Sequence, residues 1–200
     1  MTQIIHLVAA TSDGYIGIGD ELPFSIPEDL KNFKALTHDA LICMGNNTFE
    51  SILANYTKKG KAFLPNRKVT VVCSTDDKAA ARNTKYKEYD NVIFLSEKTF
   101  MSLVHRNRSP IIIVGGSRLY RTYSPHLVLM TSVNQRVLAD SDELVVEIVD
   151  GVAVDKRKSD GKVLYKYPFF ARLPDMFELP FKTQTSTNGL EYTYKIYYNK

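Results

Sequence analysis

Six stretches of the chain are near-continuous apolar runs rich in Val and Ile: QIIHLVAAT, ALICMG, KVTVVCS, NVIFLS, PIIIVGG and HLVLMTSV. They do not alternate apolar with polar. Runs of that kind suit strands buried on both faces, as in a mainly parallel sheet covered by helices. Between them the period changes to that of a helix. Over Pro27–Leu36, Leu30, Phe33 and Leu36 recur at i, i+3 and i+6, which predicts a buried stripe; Pro27 suits a first helical turn and Ser25 a cap. NNTFESILANY places Asn47 and Glu50 in capping-box positions and puts Phe49, Ile52, Leu53 and Tyr56 on one face. EKTFMSLVHR follows Ser96 as a cap, and SRLYRTY follows a Gly-Gly pair. Strands alternating with helices predict an α/β fold with right-handed crossovers.

The last third changes character. ELVVEIVDGVAVDKRKSDGKVLYKYPFF carries two Asp-Gly turn signals, and FKTQTSTNGLEYTYKIYYNK sets Asn-Gly between two alternating runs. The second arm puts Tyr192, Tyr194, Ile196 and Tyr198 on one face, which reads as a half-buried strand rather than a base-stacking platform. The expected fold class is therefore α/β: a central, mainly parallel twisted sheet flanked by helices, extended by an antiparallel C-terminal hairpin. No repeat, low-complexity tract or linker divides residues 1–200, so a single domain is expected.

Composition narrows the picture. Two hundred residues can bury a full core without disulfides. Cys43 and Cys73 both sit in apolar runs, as expected of core thiols in the cytoplasm. His6, His38, His105 and His126 form no ligand pair at helical spacing, so no metal site is expected. The first residues, MTQIIHLVAATSDG, read as a strand rather than a signal peptide. No run approaches the ~18 apolar residues of a membrane helix. The net charge of +4, from 26 Lys+Arg against 22 Asp+Glu, suits a small anionic ligand. No basic, aromatic-studded motif points to nucleic acid.

Four segments carry candidate chemistry. PIIIVGGSRLY is a strand, two glycines and a helix start, where backbone N–H groups and the dipole's positive end can meet a pyrophosphate; an ordinary turn is the plainer reading. ICMGNNTFESI repeats the device. There is no G-x-G-x-x-G, so a standard Rossmann site is not supported. YIGIGDELPF, pliable and apolar, is a lid candidate or a surface loop. Asp29 lies on the apolar face of its helix, where a carboxylate is costly unless paired or protonated. A dipole-favouring acid at a helix start is the alternative.

Taken together, LVAA, DGYIGIGDELPFSIPEDLKNFK, ICMGNNTFESI, LPNRKVTVVCS, IIIVGGSRLY and LVLMTSV, followed by an aromatic-rich hairpin, resemble dihydrofolate reductase over nearly the whole chain. The resemblance implies reduction of dihydrofolate to tetrahydrofolate with hydride from NADPH, in support of one-carbon metabolism. It makes Asp29 the ionisable group of a pterin pocket, promoting protonation at N5 through a bridging water, with Thr131 tied to it and Phe24 and Tyr120 beside the reacting rings. It implies that Leu7, Val8, Phe33, Ile52, Leu64 and Val114 wall the substrate and that Arg67 holds its α-carboxylate. It assigns the cofactor to Ala9, Ile16 and Gly17, to Gly45, Asn46, Asn47 and Thr48, to Cys73, Ser74 and Thr75, and to Val114, Gly115, Gly116, Ser117, Arg118, Leu119 and Tyr120.

The chain departs from the family pattern in three places. Phe24 stands where tryptophan is common, Asn46 stands where a basic residue often meets the 2′-phosphate, and residues 139–166 are longer than in a minimal member. Arg82 or Lys78 is the candidate substitute cation. A monomer that also binds antifolate inhibitors is expected. Two other readings stay open: the related reductase of riboflavin biosynthesis, and a non-catalytic structural member of the fold.

Overall fold

The structure, a computed structural model, describes residues 2–19, 21–135, 146–149, 152–155, 164–179 and 181–198. The chain forms two compact units, Met1–Leu7 with Asn32–Val128 and Val8–Lys31 with Leu129–Lys200. Strands β1 (Ile4–Thr11) and β7 (Leu127–Val133) and helix α1 (Pro27–Leu36) each have residues in both.

In the first unit, β1 is followed along the sheet by β6 (Ile111–Gly115), β3 (Leu41–Gly45), β4 (Lys68–Cys73) and β5 (Val92–Ser96), in the order β1-β6-β3-β4-β5. Along this order neighbouring strands pair in parallel, with Ile4 opposite Ile111, Cys43 opposite Ile113 and Cys43 opposite Thr70. The expected both-face burial is met: Ile42, Cys43, Met44, Ile111 and Ile113 are all buried. Helices α2 (Asn46–Lys58), α4 (Glu97–Arg106) and α5 (Ser117–Thr122) form where the sequence places them. Ser96 Oγ caps α4 by accepting from Thr99 N. A further helix, α3 (Asp76–Lys85), was not predicted. It buries only Ala79, so it has no apolar stripe to read; Thr75 caps it, and its Ala, Lys and Arg favour helix intrinsically.

The second unit holds the order β11-β13-β7-β1, with β11 (Phe177–Leu179) and β12 (Gln184–Thr185) both antiparallel to β13 (Glu191–Tyr198). The C-terminal hairpin is thus antiparallel as expected, with Gly189 at φ +86° in its turn. Phe24, Ile26, Val133 and Tyr192 form a core here, joined by Ala9, Leu190 and Tyr194. The tyrosine stripe grades from buried Tyr192 to exposed Tyr198. Within residues 139–166, β8 (Val146–Val149) pairs antiparallel with β9 (Val152–Asp155); both Asp-Gly turn signals lie outside the described residues.

Two expectations are corrected. The lid segment is not simply a loop: it contains β2 (Tyr15–Ile18), paired antiparallel with β10 (Leu164–Lys166), because backbone ladder bonds satisfy groups that a loop would leave to water. At its start Gly14 has φ +88°, and a Cβ there would lie 2.6 Å from the Phe170 ring. The stripe on α1 is not buried either: Leu30 is 59% exposed and Leu36 39%. Helical spacing fixes which residues share a face but not whether anything covers them.

Candidate active site

Pro27 opens α1, and the carbonyl of Ile26 accepts from Asp29 N at 3.1 Å. Asp29 therefore sits in the first helical turn. Thr131, buried in the middle of β7, donates its hydroxyl to Asp29 Oδ1 at 2.5 Å. Burial raises the Asp29 pKa, and the Thr131 bond pulls against that without cancelling it. Glu28, next to it, is occupied elsewhere: its Oε1 accepts from Thr187 N at 3.1 Å. The sequence-predicted acid and threonine are thus in direct contact. Phe24, in the adjoining core, adds apolar surface and no polar group.

Arg67 is buried. Its Nε donates to Thr37 Oγ1 at 2.7 Å, Nη1 to Pro65 O at 2.5 Å and Nη2 to Lys34 O at 2.9 Å. Three of five guanidinium donors are used, which leaves one N–H on each terminal nitrogen for a carboxylate. The loop before it is strained: Leu64 has φ +39° and Asn66 φ +59°. The Asn91 amide holds it by donating to the carbonyls of Phe63 and Leu64. Thr37 and Asn91 escaped the sequence reading, since no local pattern marks a side chain whose partner is distant in sequence.

The two glycine turns meet. Gly116 has φ +95°, and a Cβ on it would lie 3.1 Å from Gly45 N and 3.2 Å from Gly45 Cα. A Cβ on Gly115 would lie 2.4 Å from Thr48 Cγ2. Backbone meets backbone there, with no room for a side chain. The capping box expected from Asn47 and Glu50 does not form: α2 starts two residues earlier, with Gly45 as its cap and no side-chain cap bond. Glu50 instead pairs with Arg82 and accepts from the Tyr86 hydroxyl at 2.8 Å. Burial opposes its ionisation, but those two partners hold its carboxyl below the usual range. Arg82 is therefore committed. Asn46 Oδ1 is buried without a hydrogen-bond partner among the described residues.

Val72, Cys73, Ser74, Glu97 and Arg118 line a small cavity in the first unit. Arg118 Nη2 donates to Glu97 Oε2 at 2.5 Å. Glu97 is a further residue that the sequence reading did not single out; as one acid at a helix start it carried no distinguishing signal. Burial raises the Cys73 thiol pKa, so it rests as a neutral thiol. Thr75 is spent on the α3 cap. Tyr120 is buried, and its hydroxyl donates to the Leu7 carbonyl at 2.8 Å. Of the remaining wall residues, Leu7, Val8, Leu64, Gly17 and Leu119 are buried, and Ala9, Ile16, Phe33, Ile52, Val114 and Ser117 are half-buried. Among the described residues no group of His, Cys, Asp or Glu could hold a metal, and no helix is long and apolar enough to cross a membrane.

The first unit carries glycine turns at the ends of parallel strands, and the second carries a half-buried carboxylate held by a threonine, a combination that suits a nucleotide-dependent reductase. Residues 3–169 match the family model for dihydrofolate reductase, and the chain belongs to that family. It is 29% identical over 196 residues to Escherichia coli dihydrofolate reductase type 5, covering 98% of each chain. It is 27% identical over 141 residues to the dihydrofolate reductase of Lactococcus lactis, covering 70% of this chain and 76% of that one. Its fold matches a solved dihydrofolate reductase from Enterococcus faecalis, complexed with NADP(H) and RAB-propyl. That match has a TM-score of 0.65 at 17% identity and covers 98% of this chain and 95% of that one. The riboflavin-pathway and non-catalytic readings find no support in these similarities.

Proposed function

We propose that the Asp29–Thr131 pair is the acid site at which this chain reduces 7,8-dihydrofolate to 5,6,7,8-tetrahydrofolate, using NADPH. The observation that carries this reading is the 2.5 Å bond between a helix-start carboxylate and a buried strand threonine, joining the two residues that the family pattern pairs. Residues 1–200 then act as one reductase domain.

Asp29 holds the pterin edge, and burial raises its pKa, which favours its holding a proton for relay through water to N5. Thr131 fixes the rotamer of that carboxyl. Arg67, anchored by Thr37, Pro65 and Lys34, turns its two remaining N–H groups to the substrate's α-carboxylate. Leu7, Val8, Phe33, Ile52, Leu64 and Val114 supply apolar walls that exclude water.

The residues present fit a dinucleotide. The Gly45–Gly116 approach leaves only backbone for a pyrophosphate to meet, and the first turn of α2 has no side-chain cap competing for its N–H groups. Ser74, Arg118 and Cys73 line a neighbouring cavity suited to the adenosine half. NADPH, when bound, supplies the hydride. The chain's own part is to bind, to orient both rings and to protonate. Compounds that mimic the dihydrofolate edge should compete at Asp29. Buried thiols suit a reducing cytoplasm. The test is loss of NADPH absorbance on addition of dihydrofolate: turnover in the parent chain and its near-abolition in Asp29→Asn support the reading, and equal rates overturn it.

A further inference from the structure

We propose that Glu97 is a specificity-determining residue that narrows this chain's preference for NADPH over NADH, by pairing with Arg118 and cancelling the positive charge that a 2′-phosphate would meet. This rests on the reading given above, that the cavity lined by Val72, Cys73, Ser74, Glu97 and Arg118 takes the adenosine half of the cofactor. The cavity lies at the carboxyl ends of parallel strands, where open α/β sheets hold their ligands. Val72 and Cys73 finish β4 and Ser74 follows it, Glu97 follows the last residue of β5, and Arg118 follows the Gly115–Gly116 turn at the end of β6. The Gly45–Gly116 approach, where the pyrophosphate is placed, stands at the ends of β3 and β6. Strand β4 is the next neighbour of β3. A dinucleotide laid along that edge therefore brings the ribose beyond its pyrophosphate to Ser74, Glu97 and Arg118.

Of the lining residues two are charged, Glu97 and Arg118, and they are opposite in sign. Arg118 Nη2 donates to Glu97 Oε2 at 2.5 Å. The Arg118 side chain is 71% exposed and that of Glu97 only 24%, so the carboxylate is the seated member of the pair. It lies in the first turn of α4, where Ser96 caps the helix and the positive end of the dipole favours its charged form. The bond takes one of the five N–H groups of Arg118; Glu97 thus leaves most of the donors and removes the net charge. A carboxylate accepts hydrogen bonds and does not donate them. A ribose 2′-hydroxyl can donate to it, whereas a 2′-phosphate meets like charge. Arg82 does not restore the balance, being paired with Glu50.

The plainer role for an ion pair between α4 and α5 is to staple two helices, and a partly exposed pair of that kind contributes little to stability. A staple would alter the affinity of both cofactors alike, or of neither. A charge that bears on the 2′-phosphate alters one and spares the other, since NADPH and NADH differ in that group alone.

Binding, not turnover, tests this. Dissociation constants for NADPH and NADH are read from the change in nicotinamide fluorescence, and those for 2′,5′-ADP and 5′-AMP, the adenosine half with and without the 2′-phosphate, from calorimetry. Glu97→Gln keeps the shape and an acceptor for Arg118 while removing the charge. It should tighten NADPH and 2′,5′-ADP by about fivefold at low salt, the scale of one partly exposed charge pair, and leave NADH and 5′-AMP in place. The gain should shrink as salt is raised. Glu97→Lys, which reverses the charge, should widen the gap further. Unchanged NADPH affinity in these variants, or an equal change for both cofactors, overturns the proposal. Arg118→Ala checks the placement beneath it: weaker binding of both dinucleotides upholds the cavity as the adenosine site whatever Glu97 does. If Arg118→Ala binds both as the parent does, or neither protein binds them, the cofactor placement itself fails and the Glu97 inference falls with it.

Discussion

Thr131 donates to Asp29 across 102 residues of sequence, at 2.5 Å. The bond gives a partly buried carboxylate one strong partner, yet burial still wins and its pKa stays raised. The folded chain therefore holds this proton to higher pH than the unfolded chain does, and stability declines as pH rises between the two values.

Asp29→Asn should accordingly be more stable than the parent above that window, with the difference closing as pH falls toward the ordinary carboxylate range. Its Oδ1 can still accept from Thr131. Activity at neutral pH should drop by about two orders of magnitude or more, the usual scale of a general acid. Thermal melts across pH 4–8, paired with turnover, check both halves; a variant less stable at pH 8 than the parent would contradict the burial argument.

Arg67→Lys keeps the charge and loses the planar fork. Dihydrofolate binding should weaken by about 1.5–3 kcal/mol, roughly ten- to a hundredfold. Because Arg67 also holds Thr37, Pro65 and Lys34, the melting temperature should fall as well. Titration calorimetry with dihydrofolate and with NADPH separates the effects: cofactor affinity should change far less than substrate affinity.

The cofactor preference should favour NADPH over NADH, by less than a basic residue at position 46 would give. Asn46→Arg should widen the ratio of kcat/KM values, and added salt should narrow it. Arg82→Ala should leave that ratio in place, because Arg82 is already engaged by Glu50 and Tyr86. A ratio that collapses on removing Arg82 would make it the 2′-phosphate contact after all.

His6 gives the fold an acid limit. Its Nε2 meets the Tyr123 carbonyl at 2.8 Å, its ring lies edge-on to Tyr120, and burial lowers its pKa from 6.5 to about 4. Between those values the unfolded chain binds the proton and the folded chain does not, so stability is lost as pH falls, by about 3 kcal/mol in all. His6→Gln should flatten that decline in melts from pH 7 to pH 4; an equally steep decline would assign the acid sensitivity to other groups.

The sequence by itself determined the parallel strands, because a strand buried on both faces must be largely apolar, and β1, β3, β4, β5 and β6 read so. It determined the glycine turns and the start of α1 at Pro27, which depend on local backbone chemistry. It also singled out Asp29 as a carboxylate out of place. Other features depend on what arrives from far along the chain. Helix α3 has almost no buried face and so no pattern. Glu50 has capping-box spacing, but Arg82 and Tyr86 claim its carboxylate. Leu30 and Leu36 have the spacing of a core stripe and remain exposed. Thr37 holds Arg67 and Thr131 reaches Asp29 only because tertiary folding brings them there. Periodicity encodes which residues share a face. The partner that face meets, and with it the charge state of each polar group on it, is set by contacts between residues that the chain order keeps apart.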